Sequence, residues 1–324
     1  MVNQKVIKAL ALFILSLSHV LFAQEIKFAD SRIVFASVDQ GKAALTNRDE
    51  FIAALSPFDR SARMKTTEES SEKSFLTFVS TNVLSWSEVE KRTLTKAVAA
   101  IDGKLLPFRL PLPPEILLIK SSGNEEGNAS YTRQNAIILP QHDAESNQAN
   151  LEKLLTHELF HILSRHDSET RKKLYNILGF SQINEVRMND DFQVRKITNP
   201  DGPANGWSIT VTNEHQTLQV VPILLSSVAK YDLKKGGEFF NYLGFHLMSV
   251  KQKNDQWVQD FHGGKPILLD PNEVQGYFEQ IGRNTDYIIH PDEIMADNFV
   301  KMVWGDTNLA TPRIVTAMKK VLLN

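Results

Sequence analysis

Apolar positions along this chain follow two rhythms. Leu151, Leu154, Leu155, Leu159, Ile162 and Leu163 recur at intervals of three and four, so residues 151–166 read as an amphipathic helix that Asn150 can cap. Val89, Leu94, Ala97, Val98 and Ile101 mark another helix, opened by Ser85 or Ser87 with Glu88 and Glu90 in its first turn. Further helices are expected over 47–54, from Ser168 or Thr170 to Gly179, from Asp270-Pro271 to about Ile281, from Pro291 through Val303, and over the final TPRIVTAMKKVLL. Strand-like runs are FLTFVSTNV (75–83), EILLIKS (115–121) and QNAIILP (134–140). Between Phe192 and about Val250 come three more, WSITV, LQVVPILL and FFNYLGFHLMSV, with a Pro/Gly/Asn turn cluster at 199–206. The expected fold class is α+β. A small mixed sheet and the 151–166 helix occupy about 75–190, a β-rich insertion about 191–265 and a more helical part about 266–324, with a cleft between the halves of a single unit. Residues 24–80 carry no legible chemistry.

The composition is that of a globular protein, with 324 residues of which 42% are hydrophobic and 23% charged. Lys and Arg (36) nearly balance Asp and Glu (38), for a formal charge of −2, and no basic block of five or more occurs. Nothing therefore suggests a nucleic-acid partner. The sequence contains no cysteine, which excludes thiolate metal sites, thiol nucleophiles and disulfides. Any metal must sit on His, Asp or Glu.

Residues 1–23 place Lys5 and Lys8 before an apolar run that begins at Ala9, with Ala23 preceding Gln24-Glu25. This is the layout of a secretory signal peptide. The run is about 15 residues long and is interrupted by Ser16, Ser18 and His19, short of the roughly 20 residues that a span requires. The expectation is an exported chain, secreted or periplasmic, whose mature part (24–324) has no membrane anchor.

Chemistry concentrates at His157-Glu158-Leu159-Phe160-His161, an HExxH pattern inside the strongest helix expectation. Residues four apart lie on one helical face, so both imidazoles can reach one ion while Glu158 projects beside them toward a water. A catalytic zinc ion normally has three protein ligands, and three sources for the third are visible. His166 lies near the helix C-terminus, where a cation is favoured by the dipole. Asp167 follows it, but Ser164 and Asp167 stand where a metzincin would have Gly and His. The remaining source is His290-Pro-Asp-Glu-Ile-Met-Ala-Asp, in which Glu293 and Asp297 are four apart on one face. One carboxylate there could bind the ion while the other accepts the outer N–H of a ligand histidine. Without a metal, Asp292 and Glu293 would simply be helix-start carboxylates favoured by the dipole.

HExxH followed by a distant helical ExxxD resembles the gluzincin clan of zinc metallopeptidases, the thermolysin-like proteins. The resemblance is carried by the two motif helices alone. It implies a zincin-like fold, one Zn²⁺ held by His157, His161 and Glu293, Glu158 as general base, and Asp297 as the partner of His157. Thermolysin-like members place a Tyr or His that stabilises the oxyanion after the glutamate ligand, yet neither residue occurs here after Glu293. The donor must come from Tyr287, His290, Tyr277, Tyr231 or His262, unless Arg313 or a backbone group serves. The expected activity is hydrolysis of peptide or protein substrates by a metal-activated water. QNAIILP either pairs with an extended substrate or is an internal strand. Two other readings share the site: a non-catalytic, zinc-stabilised envelope binding protein, and a zinc amidase acting on a non-peptide or cell-wall amide.

Overall fold

The computed structural model describes residues 25–323; residues 1–23, expected to form a signal peptide, lie outside them. Its first sheet contains β1 (Glu25–Phe28), β2 (Ser31–Phe35), β3 (Val83–Leu84), β4 (Glu115–Ser121), β5 (Tyr131–Arg133) and β6 (Ala136–Pro140), in the order β1-β2-β4-β6-β5 with β3 also on β4. Strands β2, β4 and β6 run parallel, while β5 is an antiparallel edge. QNAIILP, as β6, is thus an internal strand, and β5 holds the edge.

The second sheet is antiparallel: β7 (Ser181–Gln182), β8 (Trp207–Asn213), β9 (Gln216–Ser226), β10 (Leu243–Lys253) and β11 (Gln256–Gln259). A small ribbon of β12 (Phe261–His262) and β13 (Lys265–Pro266) follows, and β14 (Leu268–Leu269) returns to β10. The helices are α1 (Val38–Thr46), α2 (Glu50–Ala54), α3 (Pro57–Arg63), α4 (Glu72–Thr81), α5 (Glu88–Leu105), α6 (Gln141–Ala144), α7 (Gln148–His166), α8 (Ser168–Ile177), α9 (Asp190–Arg195), α10 (Tyr277–Ile281), α11 (Pro291–Trp304) and α12 (Pro312–Leu323). The fold is α+β.

Strand β4 is hydrophobic almost throughout because both its faces are covered. Ile116 and Leu118 turn to the layer of α5 and α7, where Leu94, Ile101, Leu155 and Leu159 share their core. Ile119 turns to the opposite layer, with Leu45 of α1, Phe51 of α2, and Phe75 and Val79 of α4. Residues 25–80, in which no chemistry was legible, therefore supply two strands and one complete layer.

Several expected elements differ from those observed, each for a local reason. Residues 75–81 of FLTFVSTNV are helical and only Val83 is extended, in β3: Ser71 caps α4 by accepting from Ser74 N, and Phe75 and Val79 are buried four apart. Asn147 rather than Asn150 caps α7, and Ser87 caps α5 in a capping box with Glu90. The helix expected over 47–54 is α2 alone, preceded by α1. Phe192 lies in α9 and not in a strand, and residues 239–242 form a 3₁₀ turn ahead of β10. Helical structure after Asp270-Pro271 starts only at Tyr277.

A buried ion network ties α3 to the loop after α9. Arg63 donates to Asp59 Oδ1 (2.5 Å), to both Glu126 oxygens (2.9 and 2.7 Å) and to the Thr198 carbonyl (2.9 Å). Its guanidinium also lies 4.1 Å from the Phe239 ring centroid. Arg63→Met strands two buried carboxylates and is expected to cost about 3–5 kcal/mol, read from urea unfolding. A loss below about 1 kcal/mol would mean that the network contributes little.

Candidate metal centre

Helix α7 presents the HExxH residues, and α11 meets it across the core through Phe160 and Phe299 (centroids 5.6 Å apart). Trp304 at the end of α11 donates to Thr156 Oγ1 at 3.1 Å, fixing the register of the pair. Helix α11 starts where its sequence requires. Pro291 occupies a first-turn position, His290 caps by accepting from Asp292 N at 3.1 Å, and Gly305 (φ 70°) closes the other end.

The first turns of α11 place three carboxylates around two imidazoles. His157 Nδ1 lies 3.1 Å from Asp297 Oδ1, and His161 Nδ1 lies 2.6 Å from Asp292 Oδ2. A carboxylate accepts at each Nδ1, so that nitrogen carries the proton and Nε2 faces inward. Both Nε2 atoms converge on Glu293 Oε2, at 3.2 Å from His157 and 3.4 Å from His161. Ligands bound about 2.0–2.1 Å from a tetrahedral zinc ion stand roughly 3.3–3.4 Å apart. The imidazole and carboxylate donors, and the two separations to Glu293, therefore fit Zn²⁺.

Each supporting carboxylate is itself held. Asp292 also accepts from Ser164 Oγ and from the Tyr175 hydroxyl, and Asp297 accepts from Thr285 Oγ1. Asp292 is buried and does more than favour the helix dipole. The requirement that a ligand histidine have an outer acceptor was the signal that could have found it. Asp292→Asn puts an N–H donor or a neutral oxygen against His161 Nδ1 and is expected to weaken zinc binding about 10–100-fold. Competition with a chromophoric chelator measures this, and unchanged affinity would remove Asp292 from the site.

Glu158 is 3% exposed, and its Oε2 has no hydrogen-bond partner in the structure. Burial first, and then the charge of Asp201, pushes its carboxyl up to about 8 against the pull of His157 and His161. Burial works against a charged His157, yet hydrogen bonds to Asp297 and Glu293 prevail and hold its pKa up to about 10. A bound dication would take the place of that proton.

Of the expected oxyanion donors, His290 adjoins the cluster as the cap of α11, and Tyr287 stands against His157. Its ring stacks beside His157 (centroids 6.4 Å, planes 18° apart). Desolvation of the hydroxyl first, and then the carboxylates of Glu293, Asp201 and Glu158, pushes it above the usual tyrosine range, which keeps it a donor, although 42% of the residue is exposed to solvent. His290 is engaged as the helix cap, with burial lowering its pKa to about 4. Tyr277 donates to the Ile288 carbonyl, Tyr231 to Gly237, and Arg313 to Glu279 and Gln280, while His262 is exposed on β12. His166 is exposed, and Asp167 caps α8 by accepting from Thr170 N at 2.6 Å.

Two further residues reach the cluster from the turn-rich stretch after α9. Asn199 Nδ2 donates to Glu293 Oε1 at 2.6 Å, and Asp201 offers a carboxylate oxygen within 4.8 Å of the ligand atoms of Glu158 and His161. Sequence pattern marks that stretch only as a turn, with no sign of what it packs against.

Comparison of the chain with protein-family models, with curated proteins and with solved structures finds no match.

Proposed function

We propose that this chain is a zinc-dependent metallopeptidase of the gluzincin type on a zincin-like α+β fold, cutting peptide or protein substrates. The observation that carries the reading is the convergence of His157 Nε2 and His161 Nε2 on Glu293, beside the unpartnered buried oxygen of Glu158. A purely structural ion would give no reason to bury an unpartnered carboxylate oxygen next to its ligands, because such a group carries a desolvation cost. That favours hydrolysis over the non-catalytic alternative.

Zinc, when bound, supplies the Lewis acidity that polarises a scissile carbonyl and acidifies a water to a pKa of about 7. The protein's own groups do the rest. Glu158 takes the proton of the attacking water and returns it to the departing amine. Asp292 and Asp297 fix the tautomer and tilt of the two imidazoles. Tyr287, held protonated, donates to the oxygen on which negative charge develops. The layout of residues 1–23 extends the proposal to action outside the cytoplasm.

The test is a broad peptide library incubated with zinc-loaded and chelator-treated protein and read by mass spectrometry. Zinc-dependent cleavage at peptide bonds supports the reading. Absence of cleavage together with zinc-dependent release from cell-wall fragments would transfer it to the amidase class.

A further inference from the structure

The connection between α9 and β8 does not simply pass the site. Its residues Asn199-Pro200-Asp201-Gly202 enter it. Asn199 is bonded to Glu293 at 2.6 Å. The Asp201 carboxylate accepts from Thr132 N at 2.8 Å and from the Thr132 hydroxyl, and so occupies the edge strand β5. Arg165 of α7 holds the carbonyls of Pro200 (3.2 Å) and Asp201 (3.4 Å). Gly202 lies so close to the His290 ring that a Cβ there would sit 2.4 Å from it. Under this segment Glu158 is 3% exposed, and His161 and Glu293 are 1% exposed.

An extended substrate would pair with the N–H and C=O groups of an edge strand beside the metal. Here the Thr132 N–H is already taken by a carboxylate. That carboxylate belongs to a second donor group, Glu158, His161 and Asp201, which shares His161 with the first. The unpartnered Glu158 Oε2 marks this side as the place where a ligand is still wanted.

We propose that Asp201 is a displaceable fourth donor to the metal, carried on an internal stopper, residues 199–202, that occupies the substrate's place on β5 and must move aside before a peptide is cut. The proposal rests on the zinc-hydrolase reading of the site. A small cavity of about 40 Å³, bordered by Asn199, Pro200, Asp201 and Tyr287, adjoins the stopper.

The test uses the full chain loaded with Co²⁺, whose visible absorption reports the donor set, and the zinc form for peptide cleavage. Asp201→Asn keeps the shape and the acceptor for Thr132 but removes the anionic donor. Asn199→Ala cuts the tie to Glu293 and leaves Asp201 intact, and so serves if the first variant misfolds. The expected result is a changed Co²⁺ spectrum in D201N and a rise in kcat/KM in both variants of about tenfold to a hundredfold, the loss of one charge-assisted hydrogen bond from the closed state. A wild-type spectrum in D201N overturns the donor role, and kcat/KM unchanged or lowered in both variants overturns the stopper. Absence of Co²⁺ uptake by the wild type overturns this proposal and the site reading together. Co²⁺ uptake without cleavage by any variant overturns the peptidase reading, while the spectrum still decides the role of Asp201.

Discussion

Glu158→Gln is expected to lower kcat by about 10²–10⁴-fold while zinc content stays at that of the wild type. Gln has the same length and can still hydrogen-bond to a water, but it cannot accept a proton, so binding survives and proton transfer does not. Stability should hold or rise. Glu158 is a carboxyl at 3% exposure whose pKa is pushed up to about 8 by burial and by Asp201, so near neutral pH it must take up a proton to be buried, and the amide is spared that cost. Zinc by elemental analysis, kcat on a cleaved peptide and the thermal midpoint are measured on the same samples. Activity within about twofold of wild type would sink the assignment of Glu158 as base.

Glu293→Ala is expected to release the metal. Glu293 Oε2 is the atom on which both Nε2 nitrogens converge, and losing it should cost more than the roughly 10–100-fold in affinity ascribed to outer partners such as Asp292. The zinc-dependent rise in thermal midpoint should vanish with it, because stabilisation by a ligand follows its affinity for the folded state. The control is Asp167→Ala. Asp167 caps α8 by accepting from Thr170 N, so its loss should cost about 1 kcal/mol of stability and no zinc. Zinc lost from the Asp167 variant and retained by the Glu293 variant would reverse the ligand assignment.

The motifs were legible because they are helical and local. The 3.6-residue period brings His157 to the same face as His161, and Glu293 to that of Asp297, whatever the rest of the chain does. Capping residues announced where α5 and α11 begin, through Ser87 and Pro291. The same reasoning misread residues 75–81 of the run 75–83, where Phe75, Leu76, Phe78 and Val79 fit a strand run and a helix stripe alike. The cap at Ser71 and the layer of α1 and α2 decide for helix. It read QNAIILP as either edge or interior because a short apolar run does not reveal which strands flank it. The flanking partners proved to be β4 and β5.

By itself the sequence determined that any metal here rests on imidazole and carboxylate, that His157, His161 and Glu293 lie on two helices, and that the fold mixes helices with sheet. Periodicity, capping and the absence of cysteine are properties of short stretches or of composition, and no tertiary contact is needed to read them. Only the tertiary structure decided that Asp292 is the partner of His161, that Tyr287 of the expected donors stacks beside His157, and that Asn199 and Asp201 cover the cluster. Those roles depend on which side chains meet across about 40 to 130 positions of chain separation. Hydrogen-bond geometry at that range is fixed by how layers pack, and a one-dimensional pattern does not contain it.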